Sequence, residues 1–108
     1  MSQRIFITKF NYNLPANEFR SLLSSVADEF AKVPGCQWKI WLIDEAKNEG
    51  GAVYLFNSKE ALEQFKASPL VASVLSHPAL FNFDFRETDI VKEPSEITRA
   101  PLMEMAVA

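Results

Sequence analysis

The alternation of apolar and polar residues divides the chain into four predicted strands and two helical regions. A period of two, which is typical of strands, runs through residues 4–11, residues 80–91 and both halves of residues 34–56. Helical spacing separates the first strand from the second, where apolar residues recur three and four positions apart in one stripe. This stripe consists of Phe19, Leu22, Leu23, Val26, Ala27 and Phe30.

A second helical region follows the third predicted strand. Ser58 stands where an N-cap is expected. Pro69 interrupts the apolar pattern, and because proline breaks a helix interior we expect two short helices, the second of them capped by Ser68. Beyond the last predicted strand, residues 94–108 have weak periodicity and are expected to form a C-terminal arm that docks on another surface.

The predicted order of elements is strand, helix, strand, strand, helix, strand. This is the split βαβ pattern of ferredoxin-like folds, written βαββαβ, in which an antiparallel sheet carries its helices on one face. The fold class is therefore α+β. A chain of 108 residues has the usual length of one domain, so we expect a single ferredoxin-like domain over residues 1–108.

The central hairpin, residues 34–56, is apolar on both of its predicted faces. Trp38 lies on one face with two aliphatic residues, whereas Lys39 and Trp41 lie on the other. Helices cover only one face of such a sheet, and a monomer rarely exposes so large an apolar patch. We therefore expect a homodimer whose two sheets pack face to face around a shared cavity. Gly50 and Gly51, at the start of the second strand of the hairpin, indicate a bulge or a close backbone approach.

Charge and composition exclude several function classes. The formal net charge is −3 and no cluster of Lys and Arg is present, so a nucleic-acid partner is not expected. The longest apolar runs are too short to cross a bilayer, and no membrane partner is expected either. The single cysteine, Cys36, cannot form an internal disulfide, which favours the reducing cytoplasm. His77 is the only histidine, so we expect no metal site.

A few polar residues among the aromatic ones are candidates for chemistry. Lys39, if buried, would have a lowered pKa and act as a base, or when charged stabilise an anion; alternatively it extends along the sheet end into solvent. Tyr54 has a hydroxyl that a cavity could use. Asp84 and Arg86 lie two apart on one face and either contact a substrate or pair with neighbouring charges.

Several segments resemble a known family across nearly the whole chain. They are Phe10-Asn11-Tyr12-Asn13, Pro34-Gly35, Trp38-Lys39-Ile40-Trp41, Gly50-Gly51, Tyr54-Leu55-Phe56, Glu93-Pro94 and Ile97-Thr98-Arg99-Ala100-Pro101. The chain resembles the YdhR-like putative mono-oxygenase family of the dimeric α+β barrel superfamily. Trp38, Trp41 and Tyr54 occupy motif positions of that family.

The resemblance implies a dimer with a barrel cavity and an enzyme that oxidises a small aromatic compound without a cofactor. On this reading Tyr54 and Lys39 are the catalytic candidates, and the substrate-binding candidates are Trp38, Trp41, Asp84 and Arg86. Trp38 and Trp41 would equally suit a core or a dimer interface. The alternative function is a non-catalytic, small-molecule-binding or stress-response protein with the same barrel. A third interpretation has the cavity filled by side chains; an open pocket with a lysine or tyrosine of perturbed pKa favours the enzyme.

Overall fold

Four strands and four α-helices make up the fold in the computed structural model, which describes residues 2–102. The first half comprises β1 (Arg4–Tyr12), α1 (Ala16–Ala31), β2 (Cys36–Asp44), a 3-10 turn (Glu45–Lys47) and β3 (Glu49–Phe56). The second half comprises α2 (Lys59–Lys66), α3 (Pro69–Leu75), β4 (Leu80–Asp89) and α4 (Lys92–Ile97). The four predicted strands and the interrupted second helix are confirmed, whereas α4 lies in the segment expected to be an arm.

The strands form one sheet in the order β2-β3-β1-β4, and each neighbouring pair is antiparallel. The three helices α1, α2 and α3 all pack on one face of this sheet, where they and the strands enclose a common space. This is the predicted ferredoxin-like α+β fold. No helix in the described part of the chain is both long and apolar enough to cross a membrane.

Residues at the N-termini of α2 and α3 determine where these helices begin. The Ser58 hydroxyl accepts a hydrogen bond from the Ala61 amide at 3.1 Å, and the Ser68 hydroxyl accepts one from the Val71 amide at 3.3 Å. Both predicted N-caps are therefore confirmed. Pro69 occupies the first position of α3, where a missing amide hydrogen costs nothing because that group has no partner within the helix.

Gly51 lies where two backbones approach each other closely at the centre of the sheet. A Cβ atom on Gly51 would lie 2.2 Å from the carbonyl oxygen of Thr8 on the neighbouring strand. No side chain fits there, because backbone cannot withdraw as a flexible side chain can. On the preceding residue, Gly50, a Cβ atom would lie 2.6 Å from the ring of Phe19 and 2.9 Å from that of Phe10. The predicted close backbone approach is confirmed at Gly51, whereas Gly50 packs against aromatic side chains.

A bulge in β4 changes which of its side chains face the helices. Asp84 pairs with Lys9 and Phe81 pairs with Asn11, so β4 uses one more residue than β1 over this stretch. Asn82 has a φ of 57°, the left-handed conformation that asparagine tolerates better than most residues. Strict strand alternation over residues 80–91 would place Phe81 on the same face as Phe83 and Phe85, but the bulge shifts the alternation by one residue. Leu80 lines the helix side in place of Phe81, which is 44% exposed.

The sheet face opposite the helices carries exposed aliphatic residues, among them Ile7, Ile40 and Leu42, which are 37%, 51% and 42% exposed. The segment after α4 returns to this part of the molecule: the Trp38 indole donates a hydrogen bond to the carbonyl oxygen of Pro101 at 2.8 Å. The carbonyl oxygen of Leu102 accepts one from the Gln3 side chain, also at 2.8 Å. The arm predicted over residues 94–108 therefore contacts its own protomer as far as residue 102, and residues 103–108 lie outside the described part.

Candidate functional site

A cavity of about 330 Å³ lies between the helix-facing side of the sheet and helices α1, α2 and α3. A space of this size is in the range of small-molecule pockets. It lies within one protomer, on the face opposite to the one where the sequence led us to expect a shared cavity. The interpretation in which side chains fill the shared cavity concerns the other face of the sheet and stays a prediction.

The cavity arises because small side chains occupy the middle of the sheet between large ones at its sides. Across the four strands, one row of directly paired residues runs from Trp41 through Ala52 and Thr8 to Phe85. All four line the cavity. Ala52 and Thr8 are buried and short, and the large side chains of Trp41 and Phe85 lie at the two ends of this row.

Lys39 projects into this cavity and lies against three aromatic rings. Its Nζ atom is 3.3 Å from the centroid of Phe30, 3.4 Å from that of Trp41 and 4.8 Å from that of Tyr54. Trp41 is two residues further along the same strand, and Tyr54 is the direct cross-strand partner of Lys39. Phe30 comes from the last turn of α1. Three different elements therefore position the rings around one amine.

The surroundings of Lys39 favour its neutral form. Burial lowers its pKa to about 7, and the nearby Cys36 thiol opposes this to a smaller extent. The aromatic faces also oppose it, because a desolvated cation over a ring is stabilised by about 2 kcal/mol. None of the ion pairs found among residues 2–102 includes Lys39. At neutral pH both forms of the amine are therefore populated.

The other groups near Lys39 are neutral. Burial raises the pKa of the Tyr54 phenol well above its usual value, so this side chain keeps its proton and can donate a hydrogen bond. Burial also raises the pKa of the Cys36 thiol to about 11, against the smaller effects of Lys39 and of a hydrogen bond to Trp38. A thiol of this kind is a poor nucleophile.

The second lysine of the cavity, Lys66, contrasts with the first. It lines the cavity from α2 and forms ion pairs with Glu87 at 2.5 Å and with Glu63 at 3.3 Å. The hydrogen bond to Glu87 raises the pKa of Lys66, so this ammonium group stays charged. Glu87 also pairs with Arg4 at 3.2 Å. This network connects α2 to β4 and leaves Lys39 as the cavity lysine without a carboxylate partner in the described residues.

His77 also lines the cavity, which the sequence analysis did not foresee. Its Nδ1 atom accepts a hydrogen bond from the Ala79 amide at 3.1 Å. In the neutral ring the proton therefore lies on Nε2, and the side chain offers an N–H donor. The residue precedes a proline in the turn before β4, and no sequence signal distinguishes such a histidine from a surface one. Thr8 was missed for the same reason: it reads as an ordinary strand residue.

The structure brings together three of the six predicted site residues. Lys39, Trp41 and Tyr54 line the cavity. Asp84 and Arg86 alternate with cavity-lining phenylalanines of β4, so they are exposed on the opposite face of the sheet. Trp38 alternates with Lys39 in the same way and contacts the C-terminal segment instead. None of these three residues, Trp38, Asp84 and Arg86, therefore lines the cavity. Their predicted contacts with a substrate stay predictions.

Within residues 2–102 no group of three His, Cys, Asp or Glu side chains is close enough together to hold a metal ion.

The sequence matches one family model over residues 5–101, a family described as "Putative mono-oxygenase ydhR". No curated protein matches the sequence.

Solved structures with the same fold have low sequence identity to this chain. SnoaB, a cofactor-independent oxygenase from Streptomyces nogalater, is 19% identical with a TM-score of 0.66, over 82% of this chain and 92% of SnoaB. A putative antibiotic biosynthesis monooxygenase from Deinococcus radiodurans is 16% identical with a TM-score of 0.66, over 81% and 91%. The haem degrader MhuD from Mycobacterium tuberculosis is 17% identical with a TM-score of 0.65, over 82% and 95%.

Proposed function

The chain belongs to the ydhR family of putative mono-oxygenases, and from this membership we propose that it oxidises a small aromatic compound in the cavity without a cofactor. The observation that carries the proposal is the position of Lys39: a lysine amine without a carboxylate partner among the described residues, between the rings of Phe30 and Trp41. The apolar walls suit an aromatic substrate, and the amine suits an acidic hydroxyl on it.

The first step of the reaction is removal of the phenolic proton. A phenol has a pKa near 10 in water, as tyrosine does, and the neutral form of Lys39 accepts its proton. The resulting ammonium and phenolate attract each other strongly in an apolar cavity, and the ring faces of Phe30 and Trp41 stabilise the ammonium. The Tyr54 hydroxyl, which keeps its proton, is a candidate donor that orients the substrate oxygen.

The phenolate then supplies the electrons that reduce oxygen. One atom of O₂ forms a bond to an unsubstituted ring carbon, and the other leaves as water with both hydrogens that the phenol loses. The overall change converts a phenol and O₂ into a quinone and water, which balances without an external reductant. The protein contributes orientation, proton transfer and stabilisation of the anion.

Haem is the cofactor that the comparison with MhuD raises, and the residues of this cavity do not fit it. Iron takes the unprotonated nitrogen of a histidine, whereas the hydrogen bond from Ala79 leaves His77 with an N–H group for a ligand. Burial keeps both the Tyr54 phenol and the Cys36 thiol protonated, so neither offers an anionic ligand. We derive no step through haem.

The protein is further proposed to act as a homodimer in the cytoplasm. Exposed Ile7, Ile40 and Leu42 on the helix-free face support an interface between two sheets. The free Cys36 thiol suits a reducing compartment.

Oxygen consumption by the chelator-treated protein with 1-naphthol tests the enzymatic proposal. We expect oxygen uptake equal to the naphthoquinone formed, and one labelled atom in the quinone when the gas is ¹⁸O₂. The Lys39→Met variant should lose this activity, and Lys9→Met is the matched control because Lys9 is exposed on the opposite face. The same measurement is repeated with a panel of phenols. Saturable binding of naphthol with no oxygen uptake on any of them would favour the alternative of a non-catalytic small-molecule-binding or stress-response protein.

A further inference from the structure

The Lys39 amine has a second chemistry available to it besides proton transfer. It ends in an open cavity, its stem is fixed in a strand, and the described residues offer it no carboxylate partner. We propose that Lys39 is a nucleophilic amine that captures 1,3-dicarbonyl compounds with apolar substituents as covalent enaminones in this cavity. This reactivity does not require oxygen chemistry and stands apart from the proposed mono-oxygenase function.

The position of the amine meets the requirements for attack on a carbonyl carbon. Lysines in apolar pockets are the ones that form Schiff bases in proteins, because desolvation leaves the lone pair free. The rings of Phe30 and Trp41, 3.3 Å and 3.4 Å from Nζ, restrict the directions in which the amine can point. The remaining approach is from the cavity, whose lining includes the exposed residues Ser73 and Leu75.

The reaction balances with the two partners alone. The Nζ lone pair forms a bond to one carbonyl carbon, and the amine proton moves to the oxygen to give a carbinolamine. Loss of that hydroxyl with a second proton releases one water and leaves a C=N bond. A proton then shifts from the carbon between the two carbonyl groups to the nitrogen, and the C=N bond becomes a C=C bond, which yields an enaminone conjugated to the second carbonyl. Nothing is oxidised or reduced.

The cavity selects a 1,3-dicarbonyl compound over a simple aldehyde because of charge. The imine of a simple aldehyde is readily protonated, and a buried iminium would need a counter-ion. An enaminone is neutral at neutral pH and therefore suits a cavity where the nearest groups, the Tyr54 phenol and the Cys36 thiol, are uncharged. Its aromatic or aliphatic substituent fills the apolar space between Trp41 and Phe85.

The pH dependence of capture follows from the groups that face the amine. Tyr54 lines the cavity, and the Cys36 thiol lies near Lys39 outside the lining. The lining also includes the ammonium of Lys66, whose charge its glutamate partners balance, and the imidazole of His77. Capture at Lys39 should rise from pH 6 and level off above its pKa of about 7. Labelling of exposed lysines should instead continue to rise towards pH 10, since an ordinary lysine has a pKa near 10.4.

The probe is 1-phenylbutane-1,3-dione, incubated with the folded wild-type protein at pH 7. We expect one adduct per chain, with the mass of the diketone minus one water, together with the near-ultraviolet absorption of an enaminone. Peptide mapping should place the adduct on Lys39 at a rate at least about tenfold above that of any other lysine. Addition of 1-naphthol should slow the labelling, since both compounds occupy the same cavity.

Two variants test whether the fast adduct requires Lys39. Lys39→Met should abolish the fast adduct, and Lys9→Met should retain it; circular dichroism checks that both are folded. Because the mapping uses wild-type protein, it decides the question even if Lys39→Met fails to fold. Adducts spread over exposed lysines, with Lys39 unmodified, would overturn the proposal. A fast adduct on Lys39 without oxygen uptake on any phenol would leave this proposal standing and remove the mono-oxygenase one, and the reverse pattern would do the opposite.

Discussion

Lys39 and Tyr54 are direct cross-strand partners on β2 and β3, and both side chains point into the cavity between the sheet and the helices. Burial moves both groups towards their neutral forms, because it lowers the pKa of the lysine and raises that of the tyrosine. The pair therefore provides a proton acceptor and a proton donor at neutral pH without an ion pair. Two groups whose pKa values are pushed in opposite directions are typical of sites that exchange protons with a ligand.

Lys39 should make the stability of the protein depend on pH between about 7 and 10. Its pKa is about 7 in the folded state and near 10.4 when unfolded, so the unfolded chain binds more protons across this window. The free energy of unfolding therefore rises with pH there. Relative to Lys39→Met, the wild type should be less stable by on the order of a few kcal/mol at pH 6, and the gap should close by pH 10.

Urea denaturation at a series of pH values measures that gap. The matched comparison is Lys9→Met, which removes an exposed lysine from the other face of the sheet and should give a nearly constant difference from the wild type. A gap for Lys39→Met that stays constant across the window would contradict a lowered pKa at Lys39.

Replacing Lys39 by arginine separates its role as a base from its role as a cation. Arginine stays protonated at any pH a protein tolerates, so Lys39→Arg keeps the positive charge and loses the acceptor. We expect kcat with 1-naphthol to fall about a hundredfold in Lys39→Arg, the usual contribution of a general base. A strongly acidic nitrophenol, already ionised in water, should lose much less. Equal losses with both phenols would contradict proton removal by Lys39.

Filling the middle of the sheet should block the cavity without unfolding the protein. Ala52 is the short residue between Thr8 and Trp41, so Ala52→Leu places a larger side chain in space that is already open. The stability cost should stay below the roughly 1–3 kcal/mol of overpacking a filled core. Binding of 1-naphthol, followed by tryptophan fluorescence, should weaken at least about tenfold.

The neighbouring residue provides the control for the blocked cavity. Val53 precedes the cavity-lining Tyr54 and its side chain points to the opposite face, so Val53→Phe adds a comparable bulk on the other side of the sheet. Naphthol affinity that is lost equally in both variants would show that ligand binding does not occur under the helices.

The sequence allowed the fold to be predicted because each element carries its own local signal. The stripe on α1 and the caps at Ser58 and Ser68 depend on residues within one or two turns of each other. The position of Lys39 and Trp41 on the same face of β2 follows from strand alternation alone, and both residues lie in a segment that resembles the family.

The location of the cavity could not be predicted, because it depends on side chains that meet only in the folded sheet. Thr8, Ala52 and Phe85 lie on three strands, and their row depends on register. The bulge at Asn82 has no clear sequence signal, yet it decides that Leu80 and not Phe81 faces the helices. Asp84 and Arg86 were chosen because they are polar, and polarity marks solvent more often than a site.

A charge on the helix-free face of the sheet should dissociate the proposed dimer. Ile40 is 51% exposed in the protomer, and a buried glutamate at an apolar interface would lack a partner. Ile40→Glu should raise the dimer dissociation constant by more than about tenfold in sedimentation experiments, with the fold retained. Ser24→Glu, a change at an exposed position of α1, is the control and should leave it unchanged. A wild-type protein that sediments as a monomer would contradict the dimer itself.

The segment after α4 should stabilise the protomer through Trp38. The indole N–H donates to the carbonyl oxygen of Pro101, and the next residue, Leu102, is buried and accepts a hydrogen bond from Gln3. Trp38→Phe keeps one aromatic ring and removes the N–H donor together with the second ring of the indole, so unfolding should become easier by at least about 1 kcal/mol. Deleting the chain from Pro94 should cost more, because it also removes the buried Leu102 side chain, which is worth roughly 1.5–3 kcal/mol.

Urea denaturation at several protein concentrations separates this effect from dimerisation: a loss that vanishes on dilution belongs to the dimer interface, and one that persists belongs to the protomer. If Trp38→Phe and the deletion both leave the denaturation midpoint of the dilute protein unchanged, the contact with Pro101 contributes nothing to folding.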